Sequence, residues 1–281
     1  MRLGDIAEVR RGFTTGANEF FYLDDDAVRK WGIEGEFLKR VITSMHEIER
    51  FVVYEKHVQK RMFLCDLSKF QLRQKNANNT LGYIKYGEGL KTRKKGAHTV
   101  EGIPLPQAST IKNRSLWYAV PDQAGGDFVI PRLIRERFFL PLNGDSSRIG
   151  DMFFHGKLHN PNTRELTVAL LNSTVVYFLL EIMGRINVGG RINIYGPEIK
   201  PLFLPNPSCF SDEEASTIVE GFNVLASRKV LPIDQETQTA DRQNFDRSIL
   251  EPLGLARYYE EVLQAFATHV AQRLGKETSL D

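Results

Sequence analysis

The most constraining feature of this 281-residue sequence is an apolar segment that extends from residue 163 to residue 183. Its apolar side chains recur with a helical period and leave almost no polar face, which predicts a helix that is buried on nearly all sides. The longest uninterrupted apolar run, residues 175–180, is far below the roughly 18 residues that a membrane-spanning helix needs. We therefore expect a core helix, with Leu170, Phe178 and Leu179 inside the core.

The segments before this helix have the composition of short strands joined by long loops. β-branched and aromatic residues bounded by Pro, Gly or Asn recur between residues 51 and 154, and they include residues 116–120. Two further short strands are predicted over residues 6–9 and 19–23, and a turn with two glycines joins them. This half of the chain is therefore predicted to be β-rich.

The segments after the helix are predicted to be mainly helical. Residues 199–204 have strand character, and a proline follows them directly. A capping box over residues 211–214 begins one helix, and a helical apolar stripe predicts the last helix over residues 257–274. Residues 227–244 are polar and are interpreted as a linker. The side chains expected to be buried on the two helices are Phe222 and Phe266.

Together these segments predict a fold of the α+β class. A β-rich part with long loops is expected over residues 1–207, packed on the core helix, and a C-terminal helical region over residues 208–281 is expected to pack on that part. The length suits one large domain or two small ones.

Charge is distributed unevenly along the chain. Residues 1–55 carry 8 basic and 11 acidic residues, residues 56–114 carry 13 and 3, and residues 208–281 carry 7 and 13, although the formal net charge of the whole chain is only +2. A basic stretch with acidic flanks is typical of a surface that faces a polyanion. The alternative is a solvated lysine-rich face, because blocks of like charge also occur on surfaces that bind nothing.

Residues of the types that catalyse reactions or bind metals lack the spacing that such sites need. Asp151 is remote in sequence from Glu198, which argues against a carboxylate cluster of a nuclease. His155 and His159 are four residues apart, but they follow a predicted strand and lack the glutamate of a helical zinc motif. We therefore expect them to be neutral surface histidines.

Two features predict a cytoplasmic protein. Cys65 and Cys209 are the only cysteines, too few for a disulfide framework or a cysteine-based zinc site, which fits a reducing compartment. The first residues do not have the pattern of a signal peptide.

Six segments follow one another in an order that is typical of one protein family. They are RLGDIAEVRRGFTTGANEFFYL (2–23), LGYIKYGEGL (81–90), SLWYAV (115–120), ALLNSTVVYFLLEIMGR (169–185), RINIYGPEIKPLFLPNP (191–207) and FDRSILEPLGL (245–255). In this order they resemble the target-recognition domain of bacterial adenine-specific DNA methyltransferases of restriction-modification systems. That group includes the fused type IIG enzymes and the specificity subunits of type I systems. Each segment alone is a weak signal, but together they cover most of the chain.

The resemblance also defines what is missing. Whole methyltransferases of this kind carry an Asn-Pro-Pro-Tyr or Asp-Pro-Pro-Tyr tetrapeptide that holds the amine of adenine, and a Phe-x-Gly-x-Gly cofactor motif. Neither motif occurs here, and Asn160-Pro161-Asn162 lacks the second proline. The resemblance therefore implies a non-catalytic DNA-reading part that binds no cofactor itself. S-adenosylmethionine is expected in a separate methyltransferase domain or subunit, in cis or in trans.

The resemblance and the charge distribution together predict double-stranded DNA as the partner. Such a domain needs cations against phosphates and polar side chains against base edges. The predicted DNA-binding residues of the basic stretch are Lys85, Lys91, Arg93, Lys94, Lys95, Lys112 and Arg114, and those of the opening turn are Arg11, Thr14, Thr15 and Asn18. The supporting candidates are Arg10, the amides Gln107 and Asn113, and the aromatic residues Trp117 and Tyr118, which either stack on bases or belong to a strand core.

Several alternatives stay open at this point. Arg114 either reads a guanine or pairs with a carboxylate such as Glu101 or Asp122, and Thr15 either contacts DNA or satisfies the backbone of its own turn. For the whole chain, the alternatives are a free-standing metal-dependent nuclease and an assembly protein that keeps the fold without binding DNA.

Overall fold

The computed structural model describes residues 1–92 and 102–275, and these form the predicted α+β fold. The helices are α1 (Leu3–Ile6), α2 (Asn18–Phe21), α3 (Asp25–Trp31), α4 (Lys69–Gln74), α5 (Asn78–Gly89), α6 (Arg164–Leu171), α7 (Thr174–Met183), α8 (Gly196–Ile199), α9 (Asp212–Ala226), α10 (Ile233–Glu236), α11 (Ala240–Leu250) and α12 (Tyr259–Leu274). The strands are β1 (Ala7–Arg11), β2 (Tyr22–Leu23), β3 (Leu38–Ile42), β4 (Val52–Val53), β5 (Arg61–Phe63), β6 (Lys91–Thr92), β7 (Ile103–Pro104), β8 (Phe128–Pro131), β9 (Leu133–Ile134), β10 (Leu142–Asn143), β11 (Arg148–Ile149), β12 (Phe153–Leu158), β13 (Arg185–Asn187) and β14 (Arg191–Asn193).

The strands form several small sheets. The largest has the order β1-β12-β8-β10-β4, and a second has the order β11-β3-β5-β2. β13, β14 and β9 form an antiparallel three-stranded sheet, and β6 pairs with β7. In the first sheet β1 is antiparallel to β12, with Ala7 opposite Leu158 and Arg11 opposite Phe154. This pairing fixes where β1 ends and where the following turn begins.

Two hydrophobic cores hold the fold together. The large core joins the five-stranded sheet to the helices between α6 and α12, and it buries Leu170, Phe222 and Phe266 as predicted. The small core lies under α2, α5, the second sheet and residues 105–120. Its centre is aromatic, because the rings of Phe20 and Tyr83 stack with centroids 4.7 Å apart.

The predicted core helix is two helices. α6 and α7 are bent by 71° at a break after Leu171. Phe178 and Leu179 on α7 are therefore half-buried against the large core and not fully inside it. No single helix in the described ranges is long and apolar enough to cross a membrane, and α6 and α7 pass that test only as a bent pair.

The predicted linker over residues 227–244 is wrong. It contains α10 and the first five residues of α11, and its polar residues Glu236 and Arg242 are buried because they pair with each other. The fully buried Arg242 bonds Glu236 at 3.0 Å and donates to the Asn172 carbonyl at 2.6 Å. Burial opposes ionisation of Glu236, but its bonds to Arg228 and Arg242 lower the pKa of this carboxyl. The helix that follows the Ser211 capping box and the last helix are confirmed.

Three predicted strands are also wrong in whole or in part. Residues 18–21 form the helix α2, so only Tyr22–Leu23 of the strand predicted over residues 19–23 is present. Residues 199–204 begin at the last residue of the short helix α8, and only an isolated bridge joins Phe203 to Arg2. This segment is held by the N-terminal segment, since the Leu3 amide donates to the Leu202 carbonyl at 2.8 Å. Residues 116–120 form turns, because their side chains pack on the small core and do not join a sheet.

Candidate nucleic-acid interface

The end of β1 presents the first group of predicted contact residues. We call residues 10–18 the opening loop. Arg10 and Arg11 are exposed on β1, where the Arg10 Nε donates to Glu8 at 2.7 Å and a guanidinium nitrogen of Arg11 lies 3.7 Å from an Asp151 oxygen. Both cations lie at the protein surface, and the Arg10 pair with Glu8 is close but solvent-exposed, so it contributes little and leaves both cations available to a polyanion.

The interior of the opening loop is fixed by hydrogen bonds. The Thr15 side chain is fully buried, accepts a bond from the Ala17 amide at 3.2 Å and donates to the Asn18 amide oxygen. Gly16 has a φ of +79° and lies so close to Thr110 that a Cβ would approach its hydroxyl oxygen to 2.8 Å. Thr14 and Asn18 are exposed. Thr15 therefore shapes the loop, while Thr14 and Asn18 face outward.

Residues 105–118 hold this loop in place, although they are far from it in sequence. The Arg114 Nη2 donates to the Thr15 carbonyl at 2.8 Å, and its guanidinium lies over the Phe21 ring, 5.6 Å from the centroid. Thr110 donates to the Gly16 carbonyl at 3.2 Å. Burial lowers the pKa of Arg114 from its ordinary value, and its Nη1 is buried without a hydrogen-bond partner in the described part of the chain. The structure thus brings Arg114, one of the predicted basic residues, to the opening loop.

The remaining predicted cations occupy separate positions. Lys85 is exposed on α5, Lys91 on β6 and Lys112 just before Arg114. Arg93, Lys94 and Lys95, and the alternative partner Glu101, lie outside the described residues. The alternative in which Arg114 pairs with Asp122 is not realised, because Asp122 is bound by both nitrogens of the Arg148 fork at 2.9 and 2.6 Å.

The polar and aromatic candidates of this segment differ in accessibility. Gln107 and Asn113 are exposed. Tyr118 is buried and its hydroxyl donates to the Leu67 carbonyl at 2.9 Å, so its ring belongs to the small core. Trp117 is half-buried, and its ring lies 4.8 Å from that of Phe20. Both aromatic side chains therefore belong to the small core on which the opening loop packs.

A basic cleft, which we call the arginine cleft, was not predicted from the sequence. It has a volume of about 350 Å³ and is lined by His46, Arg135, Arg137, Arg191, Glu136 and Met152, among others. These residues come from four separate parts of the chain, which is why their charge is not visible as a run. The sequence feature that could have indicated this cleft is the segment RINVGGRIN, which predicts a hairpin with a glycine turn between two arginines.

Carboxylates and histidines do not form a metal centre in the ranges 1–92 and 102–275, where no group of three or more His, Cys, Asp or Glu side chains could hold an ion. The prediction that His155 lies on the surface is wrong. Its side chain is buried, and its Nδ1 accepts the Gly126 amide at 2.9 Å because β12 is covered on both faces. Burial, with Arg10 nearby, lowers the pKa of His155.

Comparisons with known proteins give one matching family model and several similar solved structures. The matching family model is described as the C-terminal domain of the type II methyltransferase M.Eco57I, and the match covers residues 1–241. The type IIG restriction endonuclease BpuSI has a similar structure, with a TM-score of 0.67 and 13% identity over 98% of this chain and 31% of that one. The type IIL restriction-modification enzyme MmeI, solved in complex with DNA, gives a TM-score of 0.50 and 14% identity over 98% and 34% of the two chains.

These identities are low enough that the two solved structures show a shared fold and no more. The chain spans about a third of the length of each, 31% of BpuSI and 34% of MmeI. No curated protein sequence matches the chain.

Proposed function

The chain belongs to the family of C-terminal domains of type II methyltransferases represented by M.Eco57I, and on that premise we propose that it recognises a specific sequence in duplex DNA. In this proposal residues 1–207 form the DNA target-recognition domain, and residues 208–281 form a helical region that packs on it. The chain positions DNA for a separate domain or subunit that transfers a methyl group from S-adenosylmethionine to adenine. It performs no catalysis itself.

One observation carries this proposal. The opening loop and the segment around Arg114 are distant in sequence, yet they meet through the bond from Arg114 to the Thr15 carbonyl at 2.8 Å. The result is an ordered loop with exposed cations, Arg10 and Arg11, beside exposed polar side chains, Thr14 and Asn18. Sequence-specific recognition needs this combination, because cations bind phosphates and amides or hydroxyls read base edges.

The similar solved structures support the two proposed partners, which are DNA and a methyltransferase domain. BpuSI is a restriction endonuclease of type IIG, and MmeI was solved in complex with DNA. Since this chain spans about a third of either protein, 31% and 34%, the catalytic domain is expected in the remaining two thirds of a comparable enzyme. A metal-dependent nuclease is the weaker alternative, because the described residues offer no cluster of metal ligands.

The test begins with the 281-residue chain and a library of randomised duplex DNA. Repeated selection is expected to enrich one sequence motif, and fluorescence anisotropy is expected to give a higher affinity for that motif than for random duplex. The double variant Arg10→Ala/Arg11→Ala is expected to flatten the dependence of log affinity on log salt by up to about 1.8, because each phosphate contact contributes about 0.9.

A charge-matched control distinguishes a loss of phosphate contacts from a mere loss of positive charge. Arg29 and Lys30 are exposed on α3, away from the opening loop in sequence, so Arg29→Ala/Lys30→Ala removes the same charge and is expected to change the slope little. Failure of the wild-type chain to bind any duplex would support the assembly protein instead. Cleavage of plasmid DNA that depends on added Mg²⁺ would support the nuclease.

A further inference from the structure

The hairpin of β13 and β14 projects an uncovered tip beside the arginine cleft. Val188 is 99% exposed and Ile186 is 66% exposed, and the turn between the strands uses Gly189 and Gly190, whose φ angles are +78° and +66°. We propose that this hairpin tip enters a groove of duplex DNA while the arginine cleft binds phosphates of the adjacent backbone. The inference rests on the proposed function and assigns to it a second contact surface.

The charge of the cleft fits a polyanion. Arg135, Arg137 and Arg191 line it. A Glu136 oxygen lies 3.8 Å from the Arg135 Nε, and Glu49, which is close enough to Arg137 to feel its charge, is paired with Lys229. The Arg135 side chain is 58% exposed, so its ion pair with Glu136 is weak.

The two other arginines are also free to bind an anion. Arg137 lies over the Phe139 ring at 6.0 Å from the centroid, and among residues 1–92 and 102–275 its side chain has no hydrogen-bond or ion-pair partner. Within the described ranges the Arg191 side chain makes no hydrogen bond or ion pair, and it is exposed. Cations that lack strong partners are the groups that exchange water and counterions for phosphate.

Arg273 fixes the hairpin to the cleft. Its guanidinium donates to the Arg135 carbonyl at 2.7 Å, to the Gly190 carbonyl at the hairpin turn, and to Glu181 at 2.7 Å. The side chains of Arg273 and Glu181 are 1% and 3% exposed. Gly190 is required at the turn, because a Cβ there would lie 2.7 Å from the Arg273 carbonyl oxygen. The hairpin and the cleft are therefore held in one geometry before any ligand binds.

The dimensions and chemistry of the tip favour DNA as the occupant. A two-stranded ribbon fits the major groove of B-DNA, and uncovered apolar side chains at its tip suit the methyl groups of thymine or an unstacked base step. Arg185 and Arg191 flank the tip on the two strands. Arg185 pairs with Glu198 at 2.7 Å and lies over Tyr195, so Arg191 supplies the uncompensated charge.

The cleft is also continuous with the opening loop. Arg11 lies 3.7 Å from Asp151, and the Asp151 carbonyl accepts a bond from Arg132 at 3.0 Å. Met152, the next residue, lines the cleft. One duplex can therefore contact both surfaces, with the opening loop and the hairpin as its two points of contact.

The experiment compares three variants of the 281-residue chain by fluorescence anisotropy over a salt series. The cleft variant is Arg135→Ala/Arg137→Ala/Arg191→Ala, the tip variant is Val188→Ser, and the charge-matched control is Arg29→Ala/Lys30→Ala/Arg73→Ala on the exposed faces of α3 and α4. The cleft variant is expected to flatten the salt dependence by about 2.7 and to weaken selected and random duplex equally. The tip variant is expected to lose about tenfold in affinity for the selected duplex at an unchanged slope.

The outcomes separate this inference from the proposed function. If the wild-type chain binds DNA selectively but the cleft variant keeps the slope of the control, the cleft assignment is wrong and the recognition function stands. An unchanged affinity of Val188→Ser for the selected duplex would assign the tip to another partner, such as the methyltransferase domain. If the wild-type chain binds no duplex, the proposed function itself fails. Far-UV circular dichroism of each variant confirms that the fold is retained.

Discussion

At the scale of the residue, Arg114 provides a charged connection between the basic segment and the opening loop. Its bond to the Thr15 carbonyl has a charged donor, and such bonds contribute about 1.5 to 3 kcal/mol when they are shielded from water. Because Arg114 is half-buried, we expect Arg114→Ala to lower the free energy of unfolding by about 1 to 2 kcal/mol in urea denaturation without DNA. Lys112→Ala, at an exposed neighbouring position, is the control and is expected to cost less than about 0.5 kcal/mol.

The same variant distinguishes a positioning residue from a base reader. If Arg114 holds the loop, affinity for every duplex falls together with stability. Unchanged stability and a loss restricted to one DNA sequence would instead favour the guanine contact that the sequence analysis considered. Residue type and order were enough to single out the opening loop as a candidate DNA-binding site. They did not reveal that Thr15 is buried, because the partners of a hydroxyl depend on how the turn closes.

At the scale of secondary-structure elements, the break between α6 and α7 depends on Asn172. Its amide donates to the Leu140 and Val168 carbonyls at 2.8 Å and accepts bonds from the Leu140 amide at 2.9 Å and the Tyr177 hydroxyl at 2.8 Å. Asn172→Ala leaves several of these buried groups unpaired at about 1 to 3 kcal/mol each, so we expect a loss of at least about 3 kcal/mol in urea denaturation. The adjacent cap variant Ser173→Ala is expected to cost about 1 kcal/mol.

A loss from Asn172→Ala no larger than that from Ser173→Ala would show that the break does not depend on the amide. Helical periodicity predicted the existence of this apolar segment but not its 71° bend, because one partner of Asn172, Leu140, lies in a loop 32 residues earlier. Long-range pairing also explains the error over residues 227–244. Arg242 bonds a carbonyl 70 residues away, so a polar sequence there forms a buried helix.

At the scale of the whole molecule, the two cores share a strand and are expected to unfold together. Val41 belongs to the small core and the next residue, Ile42, to the large core. The two tryptophans, Trp31 and Trp117, both pack on the small core, so tryptophan fluorescence reports on that core alone. Phe222→Ala removes a 1% exposed ring from the large core and is expected to cost about 3 to 5 kcal/mol.

Urea denaturation of this variant, followed by fluorescence and by far-UV circular dichroism, therefore measures cooperativity across the molecule. Because a cooperative unit loses all of its structure in one transition, both signals are expected to shift to lower urea by the same amount. Val224→Ala on the same helix α9, where the side chain is 55% exposed, is expected to move neither signal by more than about 0.5 kcal/mol. A fluorescence midpoint that stays in place while the dichroism midpoint falls would show that the small core, with the opening loop packed on it, folds independently of the C-terminal helices.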